Sequence, residues 1–407
     1  EVLIEYTITD TSLIIVTIAN DHKHVQKTAL DTAFYTKARR YRQLLATPQL
    51  NYHNKDLIWD YQKYAHYLYN VLIKPVEKVV AGKNMIVIPD NLIGYVPFES
   101  LIKKPLPLSK CTSYKKLDYL IRHNPVSYAY SATILSTLNA GTKKPQEKIL
   151  SFAPEYELDG VSQVDAQFFR DNDLSPLPWT RHEVESIGRI MPSQVYTGKD
   201  ATETNFKRNT KGYGILHLAM HALVDDKNPM YSKLVFSPVN DTANDNLLNT
   251  YELYELDFDA RLAVLSACNT GYGKLQKGEG IISLTRGFFY AGVPSVVMTH
   301  WTVEDQAGAG LMKYFYKNLS ENQRLDIALQ DAKLSFMHQT DEMRAHPHFW
   351  SCFVSFGDNS AINTGKKLNI LHLLWIAVPV AVALILIMVA RVFYRKEDRK
   401  QEEEALN

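Results

Sequence analysis

Apolar residues occupy every second position from Val2 to Ile8, a period that places them on one face of a β-strand. The pattern predicts a pair of strands within Ile4 to Ile18. Apolar positions then recur three and four residues apart, which predicts helices over Val25 to Leu45 and Leu57 to Ile73. A further helix is predicted from Ser127 to Leu138.

Short apolar runs alternate with helical patterns through the second half of the chain. The predicted strands are ILSFA from Ile149, Ile215 to Ala219, KLVFS from Lys233, RLAVLSA from Arg261, Ser295 to Trp301, and FWSCFVSF from Phe349. The predicted helices are Thr180 to Ile190, Thr202 to Arg208, Gly280 to Ala291, Glu304 to Asn318, and Arg324 to Met337. Strands that alternate with helices indicate an α/β fold with a mostly parallel sheet flanked by helices. In such sheets, ligand-binding and catalytic residues usually lie at the carboxyl ends of the strands.

A polar segment with glycine and proline, Asn139 to Lys148, separates the two halves and predicts a domain boundary. We therefore divide the chain into an N-terminal half, residues 1–145, and a C-terminal domain, residues 146–358. A linker at 359–367, a transmembrane helix at 368–393 and a charged tail at 394–407 follow. The chain begins at Glu1 in strand-like sequence, without an initiator methionine or a signal peptide, so we interpret it as the C-terminal part of a longer protein.

The 23 residues from Leu368 to Ala390 carry no formal charge, and most are apolar. At ~1.5 Å per residue, a helix of this length crosses the ~30 Å hydrocarbon core of a bilayer. A buried core helix is the alternative, but soluble core helices seldom run so long without a charge. Two lysines precede the segment, whereas five lysines and arginines follow it. The positive-inside rule therefore predicts a cytoplasmic tail and places the bulk of the chain on the other side of the membrane.

Composition narrows the classes of function. The 407 residues carry a net charge of +1 and show no basic stripe before the C-terminus, which argues against nucleic acid as a partner. The three cysteines, Cys111, Cys268 and Cys352, are too few and too scattered for a disulfide framework or a zinc ribbon. Cys111, in a polar loop, and Cys352, inside an apolar strand, are interpreted as inert.

The candidate catalytic residues lie at the ends of two predicted strands. The run ILHLAMHA reaches His221, and RLAVLSACNTG reaches Cys268, 47 residues later. A thiol becomes a useful nucleophile at neutral pH when a nearby base, usually an imidazole, takes its proton. Neighbouring parallel strands would bring the two residues together, and the small residues around the thiol leave room for a peptide backbone. Histidine before cysteine at this separation is the order of caspase-type peptidases and is opposite to that of papain-type enzymes.

Other patterns suggest alternative sites. His217 lies four residues before His221 and could form a metal site with it and with His300. The spacing supplies no convincing third ligand, and HLAMH lacks the glutamate of a zinc-protease helix, so His217 is interpreted as a buried, hydrogen-bonded core histidine. The segment GYGKLQKGEG is rich in glycine and lysine but lacks the spacing of a phosphate-binding loop. We interpret it as a loop that borders the substrate cleft and carries Glu279.

The most distinctive stretch is SACNTGYGKLQKGEGIISLTRGFFYAGVPSVVMTHWTVED, which HLAMHA precedes and HPHFWSCFVSFGD follows. Together with IPDNLIGYVPFESL, SYAYSATIL and YTGKDATETNFK, these segments resemble the CHAT family of caspase-like peptidases, which are related to separase. The resemblance extends from about Val2 to Asp358. It implies a caspase-like sheet in which the N-terminal half is a protease-like subdomain that has lost its own catalytic pair.

The resemblance assigns roles to individual residues. It implies that His221 is the general base, that Cys268 is the nucleophile, and that the backbone N–H groups of Cys268 and Ala222 form the oxyanion hole. Ala222 stands where the family usually has glycine, and His300 where it has leucine. WTVED resembles a separase segment whose aspartate receives a basic side chain of the substrate, so Asp305 is a candidate for that role. A helix cap or a solvated first-turn charge is the alternative for Asp305.

Trp301 and Glu279 are further candidates for contact with the substrate.

The function implied by the resemblance is a membrane-anchored cysteine endopeptidase that cleaves a protein or peptide substrate without a metal or organic cofactor. An upstream region of tetratricopeptide repeats is expected to regulate it. The alternative is a catalytically silent module of the same fold that only docks partners. Retention of both His221 and Cys268 favours the enzyme, because a decayed copy would have no reason to keep the pair.

Overall fold

Eleven strands drawn from both halves of the chain form one continuous sheet. The computed structural model describes residues 1–20, 22–47, 54–138, 148–158, 162–225, 227–239, 243–266, 274–276, 280–282 and 284–362. The strands are β1 Val2–Ile8, β2 Ser12–Ala19, β3 His22–Ala29, β4 Met85–Ile88, β5 Ile102–Lys104, β6 Asp118–Tyr119, β7 Val126–Tyr128, β8 Ile149–Ala153, β9 Ser193–Thr197, β10 Ile215–Leu218, β11 His221–Leu223, β12 Lys233–Val235, β13 Leu247–Asn249, β14 Leu262–Leu265, β15 Lys274–Gln276, β16 Gly280–Ile282, β17 Ser295–Thr299 and β18 Phe353–Gly357. The helices are α1 Ala33–Ala46, α2 Lys55–Leu72, α3 Glu77–Val80, α4 Ala132–Thr137, α5 Gln163–Asp171, α6 Pro178–Gly188, α7 Glu203–Arg208, α8 Thr250–Leu253, α9 Leu284–Tyr290, α10 Asp305–Ser320 and α11 Leu325–Gln339.

The large sheet is mostly parallel. Its strand order is β3-β2-β1-β4-β7-β18-β17-β14-β10-β8-β9, and the antiparallel pairs are β3 with β2, β2 with β1, and β18 with β17. The predicted α/β fold with a mostly parallel sheet flanked by helices is confirmed. The two halves of the chain meet where β7 pairs in parallel with β18, at Tyr128 opposite Phe356. The predicted domain boundary near residue 145 lies outside the described residues and stays a prediction.

An edge strand replaces the beginning of one predicted helix. Residues His22–Ala29 form β3, which pairs with the whole length of β2 and sets Val25 opposite Val16. The helix predicted over Val25 to Leu45 was therefore wrong at its start, and α1 begins at Ala33. Every residue of β3 is exposed or half-buried. The strand is selected by backbone hydrogen bonds to β2, and its side chains carry no apolar periodicity that the sequence pattern could reveal.

Two other predicted helices are also shorter than expected. Within Ser127 to Leu138, β7 takes the first residues, and the side chain of Ser131 then accepts the N–H of Ile134 at the start of α4. Within Gly280 to Ala291, β16 precedes α9. The other predicted strands and helices are confirmed, with ends displaced by a few residues.

A buried ion pair joins the two halves beneath the sheet. Lys333 of α11 places its Nζ atom 2.9 Å from Oε1 of Glu99, and both side chains are almost fully buried. The Tyr128 hydroxyl donates to Oε2 of the same carboxylate at 2.6 Å, and it accepts the N–H of Phe98 at 2.9 Å. Each partner of Glu99 comes from a different segment, so the carboxylate connects β7, α11 and the turn at 98–100.

Among the residues that the structure describes, no helix is both long enough and apolar enough to cross a membrane. The predicted span Leu368 to Ala390 and the tail at 394–407 lie outside the described residues, as does most of the predicted linker at 359–367.

Replacement of Lys333 by methionine is expected to destabilise the protein by about 3–5 kcal/mol, because it leaves a buried carboxylate without its cation. Urea unfolding followed by circular dichroism measures the free energy. The double variant Glu99→Gln/Lys333→Met is expected to be more stable than Lys333→Met alone, since it removes the orphaned charge. Lys74→Met, which breaks an exposed pair with Glu77, is the matched control and should cost less than about 1 kcal/mol. Equal costs for the two lysines would contradict the prediction.

Candidate active site

The site is built on two adjacent parallel strands. β10 and β14 pair in parallel, with Leu218 opposite Leu265 at their carboxyl ends. His221 lies three residues beyond Leu218, and Cys268 lies three residues beyond Leu265. The register therefore sets the ends of β10 and β14, from which the two residues are equally distant in sequence, side by side. Cys268 and Glu279 themselves lie outside the described residues, so the structure places only the strand that leads to the thiol.

His221 opens the short strand β11 and is held on both its ring and its backbone. The ring is buried and packs against Tyr156 with 4.6 Å between ring centroids. Nε2 lies 2.7 Å from the backbone carbonyl oxygen of Ser175. A carbonyl oxygen can only accept, so Nε2 must carry the hydrogen of this bond. In the neutral ring, the lone pair is then on Nδ1.

The backbone of His221 is fixed by the same tyrosine. Its N–H donates to the Tyr156 hydroxyl at 2.9 Å, and that hydroxyl donates to the carbonyl of Val235 at 2.9 Å. The hydroxyl thereby joins β11 to β12. Tyr156 also belongs to a small apolar cluster with Phe169, Leu174 and Val235, which anchors α5 and the Ser175 loop against these strands.

Burial lowers the pKa of His221 below the usual value of a histidine, while the hydrogen bond to the Ser175 carbonyl opposes this shift. The lowered pKa keeps the imidazole neutral at pH 7. A neutral imidazole with its lone pair on Nδ1 is the form that can take a proton from a thiol.

Ala222 follows His221 in β11 and is paired opposite Leu234. Its backbone is extended and does not lie among the described residues with positive φ. Alanine therefore takes the place of the family's usual glycine without backbone strain at this position. Its predicted role in an oxyanion hole stays a prediction.

A narrow cavity opens beside these strand ends. Two of its lining residues flank the candidate dyad in sequence: Met220 precedes His221, and Ser266 lies two residues before Cys268. The described residues that line it are Leu177, Thr180, Glu183, Met220, Ser266, Thr299, Val303, Asp305, Gly308 and Phe353. Among these described residues, the lining is apolar except for a few hydroxyls and two carboxylates, and it includes no lysine or arginine.

Asp305 lies at the start of α10, and its predicted contact with a basic side chain of the substrate stays a prediction. It begins α10, where Oδ1 accepts the N–H of Gln306 at 2.9 Å, and Oδ2 accepts the N–H of Trp179 at the start of α6 at 3.1 Å. It also lines the cavity, half-buried. Its carboxylate is therefore a helix cap that faces the cavity.

Trp301 does not line this cavity. It is 4% exposed, and its indole N–H donates to the carbonyl of His348 at 3.0 Å. Its predicted contact with substrate remains a prediction, and its described contacts are those of a core residue.

Two further histidines and the two described cysteines are buried. His217 is fully buried, with Nδ1 2.9 Å from the Tyr316 hydroxyl, so its predicted role as a buried, hydrogen-bonded histidine is confirmed. His300 is buried, and neither of its ring nitrogens has a hydrogen-bond partner in the part of the chain that the structure describes. Cys111 and Cys352 are buried, and their thiols donate to the backbone carbonyls of Leu106 and Phe349. Within the described ranges, no three histidine, cysteine, aspartate or glutamate side chains are arranged to hold a metal ion.

Ser175, Tyr156 and Glu183 were not identified from the sequence. Ser175 acts through a backbone carbonyl, which every residue possesses, so no side-chain signal could have found it. Tyr156 and Glu183 lie in segments without a distinctive motif, and only the folded chain brings them to the strand ends.

Residues 62–358 match the family described as CHAT domain, which is about three quarters of the chain. The chain belongs to the CHAT domain family. Tetratricopeptide repeat protein 28 of Homo sapiens is 25% identical to this CHAT protein over 224 residues, 47% of this chain and 9% of the relative. The protein of the same name from Mus musculus gives the same identity and coverage. The chain thus spans about a tenth of the length of these curated relatives.

The fold of this CHAT protein is similar to that of a solved separase. The crystal structure of the Saccharomyces cerevisiae separase–securin complex aligns with a TM-score of 0.55 and 8% identity, covering 88% of this chain and 30% of that chain. At this identity the likeness concerns the fold alone. The Arg-specific cysteine proteinase gingipain R aligns with a TM-score of 0.44 and 8% identity over 81% of this chain and 75% of that chain.

Acid is expected to destabilise the protein through His300. Burial, with Arg42 and Lys333 nearby, lowers its pKa from 6.5 to about 3. Because the folded pKa lies below the unfolded one, the unfolded state binds the proton first, and stability is lost as the pH falls from 6.5 towards 3. This histidine alone should cost about 2 kcal/mol between pH 7 and pH 5.

Urea unfolding at pH 7 and pH 5 measures the loss. His300→Leu, which restores the family's usual residue, should lose about 2 kcal/mol less than the wild type over this interval. His182→Gln, a change at an exposed histidine, is the control and should keep the wild-type loss. The same loss in His300→Leu as in the wild type would show that His300 is not the titrating group.

Proposed function

We propose that this CHAT protein is a cysteine endopeptidase in which His221 and Cys268 form the catalytic dyad. The observation that carries the proposal is the register of β10 and β14, because His221 and Cys268 each follow by three residues in sequence the paired residues Leu218 and Leu265. The hydrogen bond from Nε2 of His221 to the Ser175 carbonyl supports it, because it leaves Nδ1 as the basic atom.

The mechanism follows from these groups. Nδ1 of His221 takes the proton of the Cys268 thiol, and the thiolate attacks the carbonyl carbon of the scissile peptide bond. The oxyanion is stabilised by the backbone N–H groups of Cys268 and Ala222. The imidazolium then gives its proton to the leaving amine as the C–N bond breaks. Water, activated by the same imidazole, hydrolyses the thioester and releases the acid.

The membrane anchor and the regulatory region are further parts of the proposal. The uncharged run from Leu368 to Ala390 would hold the peptidase at a membrane, with the bulk of the chain on the non-cytoplasmic side. The repeat proteins to which the chain is similar support an upstream repeat region as regulator. The chain is expected to pellet with membranes after an alkaline wash, whereas deletion of residues 368–390 should release it. Release of the intact chain would contradict the anchor.

Labelling of Cys268 tests the peptidase. An acyloxymethyl ketone peptide probe is expected to label the wild type at one cysteine, as measured by intact-protein mass spectrometry and peptide mapping. Cys268→Ala should abolish labelling, and His221→Ala should slow it by about 100-fold or more, since a general base contributes at least that factor. The labelling rate of the wild type should fall as the pH drops through the lowered pKa of His221, because the imidazolium cannot take the thiol proton.

His24→Ala is the matched control, because His24 is an exposed histidine on β3, an outermost strand of the sheet that is not adjacent to β10 or β14. It should label at the wild-type rate. A labelling rate of Cys268 that is the same with and without His221 would refute the dyad and favour the silent docking module.

A further inference from the structure

The edge of the large sheet at β3 is long and regular. β3 is the outermost strand, and all eight of its residues pair with β2 in one antiparallel register. Among the residues that the structure describes, no strand pairs with its outer side. The outer backbone N–H and carbonyl groups of an edge strand have no ladder partner. The outer side of β3 is therefore a row of main-chain donors and acceptors.

This edge has few of the features that usually prevent a further strand from pairing. Proteins protect edge strands by making them short, by a proline or a bulge, or by charged side chains, especially lysine. β3 contains no proline, and its register with β2 is unbroken from His22 to Ala29. Val25, near its centre, is 62% exposed. Of these devices, β3 has only charged side chains, namely Lys23 and Lys27.

The two lysines stand on either side of Val25 on one face of the strand. Residues at alternate positions of a strand share a face, so Lys23, Val25 and Lys27 point to the same side of the sheet. Val16 of β2 lies directly opposite Val25 and is half-buried, and the residues opposite the two lysines are half-buried isoleucines. An apolar row therefore continues from β2 to Val25, and a cation lies on each side of it.

The charge of this edge favours an acidic partner. Both lysines are exposed, and neither forms an ion pair with a described carboxylate. Residues 1–145, which include β3, contain 19 lysines and arginines against 11 aspartates and glutamates, a net charge of +8. A surface of one sign attracts partners of the other sign and repels those of its own.

The same lysines oppose pairing with a second copy of β3. Like charges on directly opposite residues destabilise a strand pair. In an antiparallel pair centred on Val25, Lys23 of one copy would face Lys27 of the other at both ends. The residues that discourage self-association would instead form cross-strand ion pairs with a strand that carries acids at the matching positions.

We propose that β3 is a docking strand for an extended segment of a partner protein, in which an acidic, an apolar and an acidic residue occupy alternate positions. The partner's backbone extends the sheet at β3, its apolar side chain lies beside Val25, and its carboxylates lie beside Lys23 and Lys27. Because the lysines are symmetric about Val25, the pattern fits either strand direction. Six strands separate β3 from β14 in the sheet, so this site is distinct from the proposed dyad and does not depend on it.

Peptide binding tests the pattern. The fluorescein-labelled peptide Thr-Glu-Thr-Val-Thr-Glu-Thr is titrated with the full chain in detergent, and binding is followed by fluorescence anisotropy. It should bind about tenfold or more tightly than the peptide with lysine in place of both glutamates. Two further peptides carry N-methyl groups on one or the other alternate set of backbone nitrogens. One of these two should lose binding, because only one edge of an added strand faces β3.

A charge exchange then tests the two lysines. Lys23→Glu/Lys27→Glu should weaken binding of the glutamate peptide by about tenfold or more and should strengthen binding of the lysine peptide, since the charges of both pairs are reversed. The matched control is Lys104→Glu/Lys199→Glu, which makes the same change in net charge at two exposed lysines outside β3. It should bind both peptides as the wild type does.

Several outcomes would overturn the docking strand. These are failure of the wild type to bind the glutamate peptide, equal affinity for the two peptides, and unchanged affinities in Lys23→Glu/Lys27→Glu. Binding that depends on the lysines but survives both sets of N-methyl groups would show charge attraction without strand addition, and would also overturn it. A wild-type dimer in light scattering that Val25→Lys abolishes would show that a second copy occupies the edge instead.

Discussion

The in-register pairing of β10 with β14 is the constraint on which the candidate site depends. The four register pairs from Ile215–Leu262 to Leu218–Leu265 are formed by buried residues. Since side chains alternate between the faces of a sheet, a slip of one residue would turn every one of them to the wrong face. The apolar core therefore fixes how far each strand reaches. By fixing that reach, it also sets Leu218 and Leu265 side by side at the carboxyl ends of the two strands.

The orientation of His221 depends on contacts with two segments outside β10 and β14. His221 receives its orientation from Ser175 in the loop after α5 and from Tyr156 after β8. These two segments are held by the small apolar cluster around Tyr156, which is separate from the main core. Because that cluster is small, the tautomer and position of the histidine depend on few buried contacts. A shift of the loop after α5 would therefore change the hydrogen bond that leaves the lone pair on Nδ1 of His221.

The cavity beside the ends of β10 and β14 is formed by the packing of α6 against α10. Asp305 caps the start of α6 from the start of α10, and this contact sets the two helices side by side. The arrangement carries Glu183 and Gly308 to the cavity from different helices. The N-terminal half contacts the C-terminal domain through the buried Lys333–Glu99 pair, which connects α11 to the turn at 98–100. The two halves of the chain are therefore joined by this ion pair as well as by the continuous sheet.

The sequence by itself determined the alternation of strands and helices, the mostly parallel sheet and the two candidate dyad positions, because apolar periodicity and residue type are local properties. It did not identify β3, because an edge strand exposed on both faces is held by backbone hydrogen bonds that any side chains permit. Nor did it identify the Ser175 carbonyl or the contact of Glu183 with His217. Only the tertiary structure decided these features, since each depends on the distance between atoms that are remote along the chain.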